Sequence, residues 1–141
     1  MHSELPPSRV RSTAGSRRVL IVDDDVDSRE LLTIVLESHG HETRAAASAE
    51  EALAIASEYQ PDWGFIDVSL PGMNGHELAS QLRVLPELAG CQLVAVTGYS
   101  GQEAKARSAA AGFDVHLTKP INIRDVLALV ETSSEPTCAA N

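Results

Sequence analysis

The feature that most constrains this chain is the way its apolar runs end. Phe65-Ile66 runs into Asp67, and Ser69-Leu70-Pro71-Gly72-Met73-Asn74-Gly75 follows as a stretch rich in turn formers. Val19-Leu20-Ile21-Val22 runs into Asp23-Asp24-Asp25, and Leu93-Val94-Ala95-Val96 into Thr97-Gly98. A shorter run ends at Leu117-Thr118-Lys119-Pro120. Short apolar runs cut off by turn formers read as strands buried on both faces. In an open α/β sheet the carboxyl ends of such strands form the edge that carries the chemistry. Acids, a hydroxyl and a lysine are thus delivered to one edge.

Helix signals fill the gaps between these strands. Leu31, Leu32, Val35 and Leu36 share one face of a first helix, and His41 to Ala46 makes a weak second strand. Ser48-Ala49-Glu50-Glu51 reads as a capping box before a helix that turns Ala49, Ala52, Leu53 and Ala56 inward. Asn74 with Glu77 opens a third helix through Leu78 and Leu82, and Ser100-Gly101-Gln102-Glu103 caps a fourth that stops at Gly112. Ile123, Val126, Leu127 and Val130 mark the fifth. The pattern is α/β: a doubly wound, five-stranded parallel sheet covered by helices on both faces.

With 141 residues the chain is expected to be one domain over 18–131, with a disordered basic leader over 1–17 and a disordered tail over 132–141. No apolar run approaches the roughly eighteen residues of a membrane span, and no secretory signal opens the chain. Cys91 and Cys138 lie far apart without metal-ligand spacing, so a cytoplasmic protein without a disulfide framework is expected. Arg9, Arg11, Arg17 and Arg18 stand against Glu4 alone at the start, so the body is more acidic than the net charge of −9 conveys. That distribution does not suit nucleic-acid binding.

Convergence of Asp23, Asp24 and Asp67 needs neutralising charge, because two carboxylates about 4 Å apart repel by roughly 4 kcal/mol at an effective dielectric near 20. Oxygen-only ligands favour Mg²⁺ over Zn²⁺, with Mn²⁺ an acceptable substitute. A cation held by part of an acid cluster suits phosphoryl transfer onto the remaining carboxylate, giving an aspartyl phosphate on Asp67. Lys119 supplies a compact positive charge and Thr97 a hydroxyl donor.

Four motifs, VDDD at 22–25, DVSLPGMNG at 67–75, VTG at 96–98 and LTKPI at 117–121, occur in order. On them, residues 18–131 resemble a response-regulator receiver domain of the chemotaxis-regulator type. The resemblance implies a flavodoxin-like sheet of strand order 2-1-3-4-5 and a stand-alone regulator that is not a turnover enzyme. It implies Asp67 as phosphoacceptor, Asp24 as a direct Mg²⁺ ligand, Asp23 acting through water, and the Ser69 backbone carbonyl as a further ligand. Thr97 becomes the switch hydroxyl, Lys119 its ion-pair partner, and the Lys119–Pro120 bond is expected to be cis. The donor is a histidine kinase or histidine phosphotransfer protein, and a protein target reads the surface of helix 4, strand 5 and helix 5. Since no residues after 131 make an output domain, action by protein contact or as a phosphate sink, and not as a transcription factor, is expected.

One position departs from the pattern. Many family members carry Tyr or Phe three residues before the lysine, where this chain has His116. A histidine can make the same inward swing and also changes charge between about pH 5 and 8, so His116 is expected to be the switch ring with mild pH sensitivity. Ser69 and Tyr99 flank the route of hydrolytic water; serine orients water poorly and Tyr99 shields, so dephosphorylation is expected to be slow to moderate.

Other readings compete. A haloacid-dehalogenase-type phosphatase would use Asp23 and Asp25 as its D-x-D pair, with Thr97 and Lys119 later, but offers only Asp125 for its last acidic pair and leaves Asp67 idle. A phosphorylation-independent binding module is a further alternative, and an FMN module is opposed by the acidic first loop. Asp25 and Asp27 read as helix-start anions, Trp63 as packing, and His39, His41 and His76 as isolated and solvated.

Overall fold

The computed structural model describes residues 16–132. The expected leader and tail therefore lie outside the described residues, apart from Ser16, Arg17 and Thr132, and Cys138 does too. In chain order the elements are β1 (Arg18–Val22), α1 (Val26–Ser38), β2 (Glu42–Ala46), α2 (Ala49–Tyr59) and β3 (Trp63–Asp67). There follow α3 (Gly75–Arg83), a 3-10 turn (Pro86–Leu88), β4 (Gln92–Thr97), α4 (Gln102–Ala111), β5 (Val115–Thr118) and α5 (Ile123–Thr132). The strands are all parallel and lie in the order β2-β1-β3-β4-β5. No helix among the described residues is long and apolar enough to cross a membrane.

Every residue of β1 and β3 is buried. Their alternate residues feed two cores, because successive side chains of a strand point to opposite faces. Leu20, Val22 and Ile66 pack with Leu78 and Leu82 of α3 and the alanines of α2. Val19, Ile21 and Phe65 pack with Leu36 of α1 and Val126 and Val130 of α5. Trp63 stacks on Phe65, ring centres 6.1 Å apart, as a packing residue. β2, at the sheet edge, keeps only Ala46 buried, which accounts for its weak apolar signal.

Four details differ from the sequence reading. Leu31 is 53% exposed, whereas Leu32 and Leu36 are buried. It lines an open apolar cleft instead of the packed core. In the α2 box Ser48 Oγ accepts from Glu51 N–H (3.1 Å), but the Glu51 carboxylate reaches one residue further back, to Ala47 N–H (2.9 Å). The start of α4 has no side-chain cap: Gly101 takes the cap position at φ 103°, open to glycine, and leaves Ser100 one residue too early. His41 is buried, not solvated: its Nδ1 accepts from Arg17 N–H (3.1 Å) and its Nε2 lies 3.2 Å from Glu131. His39 is exposed, and His76 is half-buried with its ring edge-on to Phe113.

The Asn74 box forms in full, with Asn74 Oδ1 accepting from Glu77 N–H (3.0 Å) and Glu77 accepting from Asn74 N–H (3.1 Å). At the other end of α3, Arg83 acts as a staple. Its Nε donates to Gly112 O (2.8 Å), its Nη1 to Cys91 O (2.7 Å), and its Nη2 pairs with Asp114. One planar fork thus ties α3 to the segments leading into β4 and β5. Arg83→Met should cost roughly 2–3 kcal/mol, since two backbone carbonyls lose a charged donor. Urea unfolding checks this: an unchanged midpoint would show that water replaces the fork without loss.

Candidate functional site

Asp67 closes β3 and pairs in register with Val96, the residue before Thr97. Its side chain is 4% exposed. Oδ1 accepts both the N–H and the Oγ–H of Ser69, each at 3.0 Å. Oδ2 faces Lys119 Nζ at 3.2 Å. Asp23 repeats the device at the end of β1, where its Oδ1 accepts Asp25 N–H at 2.9 Å. Each aspartate uses one oxygen to hold the turn that leaves its strand, the local habit of Asp in turns, and keeps a second for the site.

Carboxylate oxygens of Asp23, Asp24 and Asp67 lie within 4.8 Å of one another. Asp23 is buried and Asp24 is exposed to solvent. Burial is the main cause that raises the Asp23 carboxyl above its ordinary range; the Asp25 N–H and Lys119 oppose it, and the charge and hydrogen bonding of Asp67 reinforce it. For Lys119, burial works to lower the ammonium, but the hydrogen bond and charge of Asp67, with Asp23 and Asp24 behind it, outweigh burial and raise it. The lysine is therefore held in its charged form. Three crowded carboxylates with oxygen donors alone fit a hard divalent cation, and among the described residues no imidazole or thiolate joins the cluster.

Thr97, buried at the end of β4, accepts Tyr99 N–H at its Oγ1 (3.1 Å), which leaves its own O–H to donate. Its carbonyl accepts Lys119 N–H (2.7 Å), extending the ladder one residue beyond β5 and fixing the lysine's origin. The Lys119–Pro120 peptide is cis. Tyr99 is 70% exposed at the rim. Asp25 sits at the cap of α1 and accepts Ser28 Oγ–H (2.7 Å), a bond that holds its carboxyl below the usual range. Asp27 stands in the first turn of the same helix, so neither belongs to the acid trio.

His116 lies on β5 between two partners: Nδ1 is 3.1 Å from Ser108 Oγ and Nε2 is 3.0 Å from Tyr99 O. A carbonyl only accepts, so Nε2 carries the proton and a neutral ring takes the Ser108 hydroxyl proton at Nδ1. Ser108 is 2% exposed on α4 and went unsingled in the sequence, where it sits within an alanine-rich run. The Ser69 hydroxyl contact with Asp67 was likewise missed. Beside the trio, a cleft of about 540 Å³ runs between α1 and the β5–α5 loop, walled by Leu31, Phe65, Val96, Ile121 and Ile123.

Comparison with known proteins agrees with this arrangement. Residues 19–131 match the response regulator receiver domain family. An uncharacterized 14.6 kDa protein of Leptolyngbya boryana is 34% identical over 119 residues, covering 84% of this chain and 91% of that protein. The DNA-binding response regulator MtrA of Mycolicibacterium paratuberculosis is 33% identical over 114 residues, 81% of this chain and 49% of its own length; the chain thus spans about half of MtrA. Among solved structures, the CheY-like receiver domain protein of Methanospirillum hungatei superposes with a TM-score of 0.79 at 33% identity, covering 89% of this chain and 98% of that one. Chemotaxis response regulator CheY4 of Vibrio cholerae gives 0.77 at 30% identity, covering 82% and 96%. The family match runs from β1 to α5 and leaves no strand of the sheet outside it: the chain belongs to the response regulator receiver domain family.

Proposed function

We propose that this chain is a stand-alone regulator of two-component signalling in which Asp67 accepts a phosphoryl group from a histidine kinase or histidine phosphotransfer protein. The observation that carries the reading is the pairing of Asp67 Oδ2 with Lys119 Nζ at 3.2 Å beside two further carboxylates. Receiver domains in general bind Mg²⁺ in such an acidic pocket. Here Asp23, Asp24, Asp67 and the Ser69 carbonyl would hold it, and when bound it supplies charge neutralisation of the phosphoryl oxygens.

Asp67 attacks phosphorus in line; a P–O bond forms to its carboxylate as the donor's P–N bond breaks, and the electron pair leaves with the imidazole. Lys119 balances charge on the transferring group, and the Thr97 O–H donates to it once it has moved onto Asp67. His116 is the switch ring. It follows Thr97, releases Ser108 and the Tyr99 carbonyl, and so changes the α4, β5 and α5 surface that a protein target reads. Tyr99, at the rim, shields the phosphoryl group from water. One relative of similar length, the Leptolyngbya protein, of which the chain covers 91%, supports a receiver domain without a fused output segment. The phosphatase reading is weakened because Asp25 is taken by Ser28, whereas Asp67 is the acid that joins Asp23 and Asp24.

Intact mass after incubation with Mg²⁺ and acetyl phosphate tests the reading: one phosphoryl group should be gained, only with Mg²⁺ present. Catalytic release of phosphate from a monoester without a stable adduct would favour the phosphatase instead. For the switch, His116→Ala should weaken target binding by the phosphorylated protein by about fivefold or more. The Ser108 hydroxyl can donate to a neutral ring or accept from a protonated one, and Arg107 and His76 share the cavity with it, so the wild-type difference between about pH 6 and pH 8 should be small. Unchanged binding by the variant at both pH values would remove His116 from the switch.

A further inference from the structure

A second cavity, about 280 Å³, opens between the start of α3 and α4 and shares Ser69 and Thr97 with the phosphoacceptor site without reaching Asp67. No Asp or Glu lines it, in a chain whose net charge is −9. Arg107 of α4 and His76 of α3 both border it, and neither has a hydrogen-bond or ion-pair partner among the described residues. Asn74 contributes a side-chain amide whose oxygen is occupied by Glu77 N–H, which leaves its NH₂ to donate. His116 also lines it, its two ring nitrogens taken by Ser108 and the Tyr99 carbonyl. The lining therefore offers donors and positive charge without a counter-ion.

We propose that this cavity is a binding site for a small oxyanion of the phosphate class, gripped by Arg107 and His76. The volume admits a tetrahedral oxyanion and falls below the roughly 300 Å³ lower bound of ordinary organic-ligand pockets. Arginine is the side chain whose planar fork matches such an anion. Burial is the main cause that holds the His76 imidazole below its usual range, and the Arg107 guanidinium beside it acts in the same direction. An anion between Arg107 and His76 would oppose both effects and favour the protonated ring. The cavity shares Ser69 and Thr97 with the acceptor site and is bordered by His116, so an anion there competes with the inward swing of the ring. By linkage, phosphorylation of Asp67 then weakens anion binding by the same factor. That coupling rests on the proposed function; the binding itself does not.

The test is an NMR titration of the full chain with sodium phosphate after chelator treatment, following backbone amides and the histidine ring protons. Saturable shifts at His76, Arg107 and His116 are expected, with sulfate competing. Arg107→Gln and, separately, His76→Asn should each weaken binding by about tenfold through loss of one charge-assisted or neutral donor. Asp67→Asn should retain binding although it cannot be labelled, which separates this inference from the phosphoacceptor reading. Non-saturating shifts would overturn it. So would saturable shifts centred on Lys119 that Arg107→Gln leaves intact, because the anion would then occupy the phosphoacceptor site.

Discussion

Incubated with Mg²⁺ and acetyl phosphate, the Asp67→Asn protein should gain no mass, while wild type should gain one phosphoryl group. The amide has nearly the shape of the carboxylate, and its oxygen can still accept the two donors from Ser69 that hold the β3–α3 turn. What it lacks is the nucleophile and the negative charge facing Lys119. Neither neighbour replaces it: among the three carboxylates of the trio, Asp67 is the one hydrogen-bonded by Lys119 Nζ. Loss of labelling through unfolding is distinguishable, because the variant should be no less stable than wild type without divalent cations. Removing one of three crowded carboxylates relieves a repulsion of up to roughly 4 kcal/mol per close pair. The ion pair lost with it has an ammonium whose side chain is 38% exposed, and solvent with the charges of Asp23 and Asp24 remains to balance that ammonium. Stoichiometric labelling of the variant would show that another group is the acceptor.

The second large effect is expected at Gly75, through packing and not through charge. A methyl group there would lie 2.7 Å from both the Asp67 carbonyl oxygen and Val68 Cα, and 3.1 Å from the Ile66 side chain. Two of those neighbours are backbone, so they cannot turn aside. Helix propensity alone would make alanine better by up to about 1 kcal/mol at a helical position. The clash decides the sign instead: Gly75→Ala should destabilise by about 3 kcal/mol. Any relaxation must also push on the peptide that positions Asp67, and a displacement near 1 Å can cost about a hundredfold in rate. Thermal unfolding together with the rate of labelling reads both effects. A variant with wild-type stability and rate would mean that α3 moves away from β3 freely.

Much of this was legible because strand ends are local. Apolar runs stopping at Asp23, Asp67, Thr97 and Lys119 sufficed to place those side chains on one edge, and a parallel sheet with all-buried central strands brings them together. The Asn74 box was readable for the same reason, since both of its bonds join residues three apart. Long-range contacts were not. Periodicity assigns Leu31 to an apolar face but cannot say that the face overhangs a cleft at that point. His41 gains burial from Arg17 and from Glu131, ninety positions away, and nothing near it in sequence signals either. Nothing near Arg83 in sequence signals its partners, which are carbonyls of two other segments. Gly75 read as a turn former, whereas its job is to let a helix approach a backbone.

The contact of His41 with both Arg17 and Glu131 carries a wider consequence. It places residue 17 and the last turn of α5 together at the end of the sheet opposite Asp67. Both points stand off Asp67 by the length of a five-residue strand, about 16 Å. A change at Asp67 reaches that end only through the elements between them. The shortest rigid link is α5 itself, a rod of about 15 Å that begins four residues after Lys119 and ends beside His41. A displacement of the lysine would arrive at the far end as a shift of that rod, with His41 as its bearing.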